Sequence, residues 1–170
     1  SLGEIKGFID RMGGIDGIDT LRRTPTQVLG PFYPVEKPLD VDADLTAIKG
    51  RSGRAQGQVV HVMGRVLTAK GEPVADARIE VWQANHFGRY SHPSDDNPAP
   101  LDPNFEGYAD LRSDAQGRYR FKTIKPAGYP AGQGMRAPHI HFEVAARVNR
   151  LVTQMYFPGE SLNEKDFVMA

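Results

Sequence analysis

The chain has 170 residues, enough for one domain with a sizeable hydrophobic core and few for two. Its 21 lysines and arginines balance 21 aspartates and glutamates, so its charge favours neither a nucleic acid nor an anionic membrane as a partner. The absence of cysteine excludes disulfides, zinc–thiolate sites and cysteine nucleophiles. No apolar run approaches the roughly 20 residues of a membrane span, and the first residues lack an export-signal pattern. We therefore expect a soluble domain, cytoplasmic unless an export signal has been removed.

Residues 1–56 precede the first strand pattern and predict an N-terminal arm with a connecting loop. The pattern allows a short helix over residues 2–12. Residues 24–34 (TPTQVLGPFYP) are punctuated by prolines, which exclude a helix interior and predict an extended segment. The aromatic pair Phe32 and Tyr33 predicts that this segment docks against the body of the domain.

Residues 57–170 alternate short apolar segments with turn signals, and 18 glycines and 13 prolines suit such a turn-rich β protein. Gly64 is a candidate β-bulge, residues 85–104 and 125–134 are predicted loops, and the last 13 residues a polar tail. The predicted strands are 58–68, 78–84, 108–113, 118–124, 138–147 and 151–157. This pattern predicts an all-β protein, an antiparallel β-sandwich in a single domain with an extended N-terminal arm and long loops.

Residues 136–142 (RAPHIHF) carry the first indication of chemistry. His139 and His141 occupy positions i and i+2 of a predicted strand, so both side chains point to the same face and can reach one metal ion. The same alternation also fits a solvent-facing side shared with Glu143, and the pattern alone does not decide between the two. The remaining histidines, His61, His86 and His92, are predicted to be structural or solvated.

Two tyrosines occupy unusual positions in predicted loops, Tyr90 after a glycine–arginine pair and Tyr129 between Gly128 and Pro130. Either ring could close an end of the sandwich. A phenolate is also a hard anionic ligand that suits iron(III), whose Lewis acidity can keep a phenol with a solution pKa of about 10 ionised. Mixed imidazole and phenolate ligands would favour ferric iron over zinc or magnesium.

Residues 58–160 resemble the intradiol ring-cleavage dioxygenases, and the pattern is closest to the iron-binding chain of the protocatechuate 3,4-dioxygenases. The segments at residues 24–27 (TPTQ) and 30–33 (GPFY) are similar to the family's opening segment, so the resemblance covers most of the chain. The other matching stretches are 81–85 (VWQAN), 88–90 (GRY), 101–105 (LDPNF), 123–130 (TIKPAGYP), 136–142 (RAPHIHF) and 153–157 (TQMYF).

The resemblance implies a mononuclear non-haem iron(III), Fe(III), with hydroxide in a fifth position and four protein ligands: Tyr90, Tyr129, His139 and His141. It implies that Tyr129 leaves the metal when substrate binds and that Arg136 and Gln154 are the other catalytic residues. The implied reaction inserts both atoms of O2 into a catechol between its hydroxyl-bearing carbons. The implied course runs through a peroxo bridge and a cyclic anhydride to a cis,cis-muconate. A catechol-type substrate, dioxygen and a homo-oligomer are the implied partners.

Some features depart from the family pattern. Ala131 stands where protocatechuate enzymes tend to carry an aromatic residue, which implies a more open pocket. The helical linker domain of catechol 1,2-dioxygenases is absent, and the family usually continues into another strand after the one with Gln154. We therefore expect either a smaller sandwich or an incomplete sequence.

Three alternatives remain open. Residues 64–77 are also similar to transthyretin-like domains, which would make the chain a non-enzymatic β-sandwich module. It could instead be an iron-binding subunit that works only beside a different partner chain. Arg136 could serve solely as the salt-bridge partner of a nearby acid.

Overall fold

The computed structural model describes residues 23–37, 42–132 and 134–169. All strand pairs in this part of the chain are antiparallel, which confirms the predicted all-β class. The strands are β1 Val59–Arg65, β2 Arg78–Trp82, β3 Tyr108–Arg112, β4 Arg118–Ile124, β5 Tyr129–Ala131, β6 Gly134–Arg136, β7 His139–Ala145 and β8 Arg150–Tyr156. No helix in the described residues is long and apolar enough to cross a membrane.

Two sheets share one apolar core. Four strands form a sheet in the order β3-β2-β7-β8, and β1 pairs with β4. The alternation of the strands directs every second side chain inward, so both sheets bury aliphatic and aromatic groups against each other. The core includes Val62, Phe121 and Ile124 from the β1–β4 pair and Ile79, Val81, Ala109, Ile140 and Phe142 from the larger sheet. This arrangement is the predicted sandwich.

The predicted bulge at Gly64 is wrong. The β1–β4 register runs without interruption through Gly64, which lies opposite Tyr119. A Cβ at Gly64 would lie 2.5 Å from the Tyr119 hydroxyl, so glycine is needed there for the close approach of the phenol.

The predicted loop at 125–134 and the predicted tail both contain structure that the composition did not indicate. Tyr129–Ala131 and Gly134–Arg136 pair as a short hairpin, with Tyr129 opposite Arg136. Only three residues pair on each strand, too few to leave a period in the sequence. Asn163–Lys165 form a single 3-10 turn, after which Asp166 is buried.

The described part of the arm docks as predicted, whereas the predicted helix over residues 2–12 lies outside the described residues. The backbone amide of Gln27 donates a hydrogen bond to the Val152 carbonyl of β8 at 2.9 Å. The Tyr33 ring meets Trp82 edge-on, with centroids 5.0 Å apart. Tyr33 and Lys37 donate hydrogen bonds to the buried Glu80 carboxylate, which also accepts one from Tyr108.

Candidate metal centre

His139 and His141 lie on β7 and point away from the core, since the intervening Ile140 lies on the core side. Both histidines are only 2% exposed, because the loops and the arm cover this face of the sheet. The solvent-facing interpretation of the pair is therefore wrong, although the assignment of faces is right.

The sheet register fixes what surrounds each imidazole. His141 lies between Trp82 on β2 and Gln154 on β8, while His139 lies opposite Tyr156. The Trp82 indole stacks on the His141 ring with centroids 4.9 Å apart and planes within 5° of parallel. Cross-strand neighbours of this kind hold a ring in one orientation, so the position of His141 is set by both adjoining strands.

Tyr90 is positioned by the loop that follows β2. The Asn85 side-chain oxygen accepts hydrogen bonds from the backbone amides of Phe87 and Arg89, which closes a turn, and the Tyr90 amide donates to Asp95 at 2.7 Å. Gly88 within this turn has φ +82°, and a Cβ there would lie 2.7 Å from the Gly128 carbonyl. Glycine at this position lets the Tyr90 and Tyr129 loops pack directly against each other.

Tyr129 enters the site from the short hairpin. It begins β5 and lies directly opposite Arg136 of β6, and directly opposed residues of an antiparallel pair direct their side chains to the same face. The hairpin thus brings a phenol and a guanidinium to the same side as the histidines.

The structure brings the four predicted ligands together. The Nε2 atoms of His139 and His141 are 3.1 Å apart. The Tyr90 and Tyr129 hydroxyls lie 3.3 and 3.4 Å from His139 Nε2 and 3.5 Å from each other. Metal–ligand bonds of about 2.0–2.2 Å separate neighbouring ligand atoms by about 3 Å, so these spacings suit one metal ion at the common centre.

The histidines are held in the form that binds metal. Burial, with the positive charge of Arg136, lowers the pKa of His139 to about 4. Burial and the neighbouring His139 lower the pKa of His141 well below its ordinary value. The Nδ1–H of His139 donates to the Ala137 carbonyl at 2.6 Å, which leaves the lone pair of Nε2 directed at the other donors.

By contrast, the ionised forms of Tyr90 and Tyr129 are disfavoured unless a cation binds next to them. Burial and the neighbouring Tyr129 raise the pKa of Tyr90 well above its ordinary value. Burial also raises the pKa of Tyr129, opposed by a hydrogen bond with Tyr90 and by the charge of Arg136. A strong Lewis acid would supply the missing positive charge and favour both phenolates.

The donor set fits iron(III). Two neutral imidazoles and two phenols meet at the limit of hydrogen-bond distance, and His141 Nδ1 has no hydrogen-bond partner among the described residues. No group of three or more histidine, cysteine or acidic side chains that could hold a metal occurs in the described part of the chain. The tyrosines are therefore what would complete this site, and phenolate is a ligand of hard, highly charged ions.

Arg136 and Gln154 lie beside the four donors. The Arg136 Nη2 group donates to Gln154 Oε1 and, at 3.2 Å, to the Tyr156 hydroxyl. Arg136 Nε is paired with Asp166, so the predicted acid partner exists; both carboxylate oxygens accept from it. The positive charge of Arg136 partly opposes the rise that burial causes in the pKa of Tyr90 and Tyr129. The same charge adds to the fall that burial causes in the pKa of His139 and His141, so the salt bridge leaves the guanidinium able to act on the four predicted ligands.

Sequence reasoning missed Trp82, Tyr156 and Asp166. Trp82 is the chain's single tryptophan and lies in one of the stretches that match the family pattern, which together could have marked it as a site residue. Tyr156, two residues after Gln154 on a strand, shares its face, a period that could have identified it. Asp166 carried no signal, because a lone aspartate that follows the polar run Asn163–Lys165 resembles an ordinary solvated side chain. His86 is exposed, as predicted, whereas His61, predicted to be structural, is also exposed. His92, predicted to be solvated, is half-buried beside Phe32.

The arm covers the donors from one side. A Cβ at Gly30, where φ is +78°, would lie 3.1 Å from Cε1 of His141. The Phe32 ring packs on Tyr90 with centroids 4.8 Å apart, and both residues line a cavity of about 80 Å³ together with Trp82. A larger cavity of about 340 Å³, between Lys125 and the segment that follows β8, is lined by none of the predicted ligands.

The chain is similar to known proteins over most of its length. A family model described as dioxygenase matches residues 28–170. The beta chain of protocatechuate 3,4-dioxygenase from Burkholderia cepacia is 48% identical over 137 residues, which cover 78% of this chain and 58% of that protein. Catechol 1,2-dioxygenase 2 from Acinetobacter lwoffii is 36% identical over 163 residues, covering 86% of this chain and 56% of that protein.

A solved structure shows the same fold. Catechol 1,2-dioxygenase from Pseudomonas arvilla C-1 matches with a TM-score of 0.67 at 28% identity, covering 98% of this chain and 57% of that one. The chain thus spans little more than half the length of the relatives it matches.

Proposed function

Because the chain belongs to the intradiol ring-cleavage dioxygenase family, a family of oxidoreductases, we propose that it is an iron(III)-dependent enzyme acting on a catechol. The reaction would cleave the ring between the two hydroxyl-bearing carbons and incorporate both atoms of O2. Its product would be a cis,cis-muconate. A homo-oligomeric state and the identity of the catechol stay predictions.

One observation carries the proposal: two buried imidazoles and two buried phenols converge within 3.1–3.5 Å. A transthyretin-like module would have no use for this cluster, because leaving buried polar atoms poorly hydrogen-bonded costs stability. Both tyrosine hydroxyls have only long contacts of 3.3–3.5 Å, and His141 Nδ1 has no hydrogen-bond partner among the described residues. The cluster therefore favours a metal enzyme over a purely structural sandwich.

Tyr90, Tyr129, His139 and His141 would hold the ion. When bound, iron(III) supplies Lewis acidity, which favours chelation of a deprotonated catechol and electron transfer from it. A Tyr129 phenolate oxygen would accept a proton from an incoming catechol and become the neutral phenol. Its hairpin position opposite Arg136 supports this role, because the positive charge of the guanidinium partly opposes the rise in the pKa of Tyr129 that burial causes.

Arg136 would stabilise negative charge that develops on the substrate. Its guanidinium is only 5% exposed, so its field acts in a medium that screens it weakly. Gln154 accepts a hydrogen bond from Arg136 and donates one through Nε2 to the Val28 carbonyl of the arm at 3.1 Å. This pair of contacts supports a role for Gln154 in holding the arginine and the arm at the pocket.

The test is iron loading of the purified chain followed by oxygen uptake with a panel of catechols. We expect visible tyrosinate-to-iron(III) absorption, consumption of dioxygen and formation of a muconate. Tyr90→Phe and Tyr129→Phe should each weaken or shift this absorption. Tyr119→Phe is the matched control, because Tyr119 is another partly buried tyrosine on the far side of the core and contacts Phe142.

The outcomes separate the alternatives. A colourless chain that binds no iron would refute the enzyme and favour the non-enzymatic module. A coloured chain that consumes no oxygen alone, yet becomes active with a second protein, would favour the two-subunit alternative. The relative at 48% identity bears the name of a beta chain, which makes this a specific alternative.

A further inference from the structure

Asp166 is a fully buried acid that neither the ligand set nor the fold accounts for. It follows the 3-10 turn Asn163–Lys165 and is 1% exposed. Its carboxylate pairs with Arg136, and the side chains of both members of the pair are almost inaccessible. Because burying two charges is costly, such a pair is weak evidence of a stability role. The position of Asp166 beside Arg136 therefore needs an explanation other than stability.

The carboxylate is itself held rigidly. One oxygen accepts from the Ala137 amide at 2.7 Å, and the other accepts from the Val168 amide at 2.9 Å. Both oxygens accept from Arg136 Nε, at 3.1 and 3.0 Å. A carboxylate with this many donors has a single orientation. Asp166 therefore fixes a side chain and the adjoining main chain together.

These contacts determine which way the guanidinium faces. With Nε turned to Asp166, Nη2 reaches Gln154 and Tyr156. The Phe167 ring lies 5.7 Å from the guanidinium carbon. These four residues thus leave the guanidinium plane little freedom to rotate.

We propose that Asp166 is a positioning residue, one that holds the Arg136 guanidinium in the orientation from which its charge reaches the substrate. This inference rests on the proposed function. Asp166 touches none of the four predicted ligands, so it acts through Arg136. Since Arg136 is expected to stabilise charge that appears during reaction, misplacing it should lower kcat more than it raises KM.

The experiment compares Asp166→Asn with Glu160→Gln in the iron-loaded chain. Glu160 is the control because it lies in the same segment and pairs with Lys125, away from the predicted ligands. We expect Asp166→Asn to lower kcat for the best catechol about 10–100-fold, with KM changed less than about threefold and iron content unchanged. Glu160→Gln should behave like the parent chain. A kcat loss no larger than the loss of folded, iron-loaded protein would overturn the proposal.

A second measurement does not depend on activity. In the iron-free protein, the Nε–H proton of Arg136 should exchange slowly with water, as followed by NMR of 15N-labelled protein and assigned with Arg136→Met. Asp166→Asn should accelerate that exchange at least tenfold, whereas Glu160→Gln should not. Unchanged exchange in Asp166→Asn would overturn the proposal even if activity falls.

The double variant shows whether Asp166 affects kcat through Arg136 or independently of it. Replacing both partners removes the uncompensated buried charge that a single variant leaves and that opposes its folding. If Asp166 works through the arginine, adding Asp166→Asn to Arg136→Met should cost less than about threefold further in kcat. The proposal would be refuted if the fold-loss in kcat of the double variant equalled the product of the fold-losses of the two single variants. Absence of catechol activity in the parent chain would instead refute the proposed function, and the exchange measurement would still test the positioning contact.

Discussion

Replacing Tyr90 with phenylalanine should have opposite effects on the iron-free and iron-loaded protein. In the iron-free chain the Tyr90 hydroxyl is buried, and its two contacts, at 3.3 and 3.5 Å, are at the long limit for hydrogen bonds. Burying a hydroxyl without good partners costs about 1–3 kcal/mol, so its removal should leave stability unchanged or raise it by up to about 1 kcal/mol. For a domain of this size that is a rise in Tm of about 2–4 °C.

Iron binding should respond in the other direction. Loss of a ligand should weaken iron binding at least about 100-fold, which removes about 2.7 kcal/mol of linked stabilisation. The Tm gap between the loaded and the iron-free protein should then narrow by roughly 5–10 °C.

The assay is differential scanning calorimetry of both forms of Tyr90→Phe and of the Tyr119→Phe control. The control should keep the full Tm gap, because the Tyr119 hydroxyl makes no hydrogen bond within the described residues. The reasoning would be refuted if Tyr90→Phe lowered the stability of the iron-free chain by more than about 1.5 kcal/mol and left the gap unchanged. The cluster would then be an ordinary hydrogen-bond network.

Three further predictions concern pH, the arm and fluorescence. Burial alone would raise the pKa of Glu80, but its hydrogen-bond donors hold that pKa below the ordinary value of 4.5. The contribution of this carboxylate to the free energy of unfolding is therefore present above about pH 4.5 and is lost as the pH falls through the lowered pKa. Glu80→Gln should therefore cost about 3 kcal/mol near pH 7 and progressively less in acid, measured by urea unfolding; a pH-independent cost would contradict this. Gly30→Ala and Gly50→Ala introduce similar backbone strain, at φ +78° and +83°, but only Gly30 faces His141. Iron titration should therefore show weaker binding in Gly30→Ala and unchanged binding in Gly50→Ala. Equal iron affinities of the two variants would argue against close packing of the arm. Iron loading should quench most of the emission of Trp82, which stacks on that histidine; unquenched emission would place the metal elsewhere.

The sequence predicts most of the fold, because the strands of the two sheets carry a visible alternation. The strand at 118–124 was predicted with the bounds that the structure has. The hairpin of Tyr129 and Arg136 was missed, since its pairing depends on proline- and glycine-rich neighbours rather than on a period. Gly64 was misread because a glycine within a strand fits a bulge as well as a close contact, and only the opposite strand shows which applies.

The site residues differ in how far the sequence could predict them. Spacing alone put His139 and His141 on one face, but whether that face meets water depends on the arm and loops that fold over it. Tyr90 and Tyr129 were identified through the family resemblance, since no local pattern distinguishes a ligand from a ring that plugs the sandwich. Asp166 could not be found at all, because the chain must turn back through the 3-10 segment before this acid meets its arginine.

The two backbone polar groups of Ala137 link two parts of the site through the main chain. Its N–H binds Asp166 and its carbonyl binds His139, while its methyl group is wholly buried. Alanine scanning, which alters only side chains, would pass over this residue, and larger replacements would register simply as packing defects. The contact would become visible through an exchange of the amide for an ester, which deletes the donor and leaves the methyl in place. Backbone groups of this kind hold neighbouring side chains in place, and a map of side-chain substitutions does not record them.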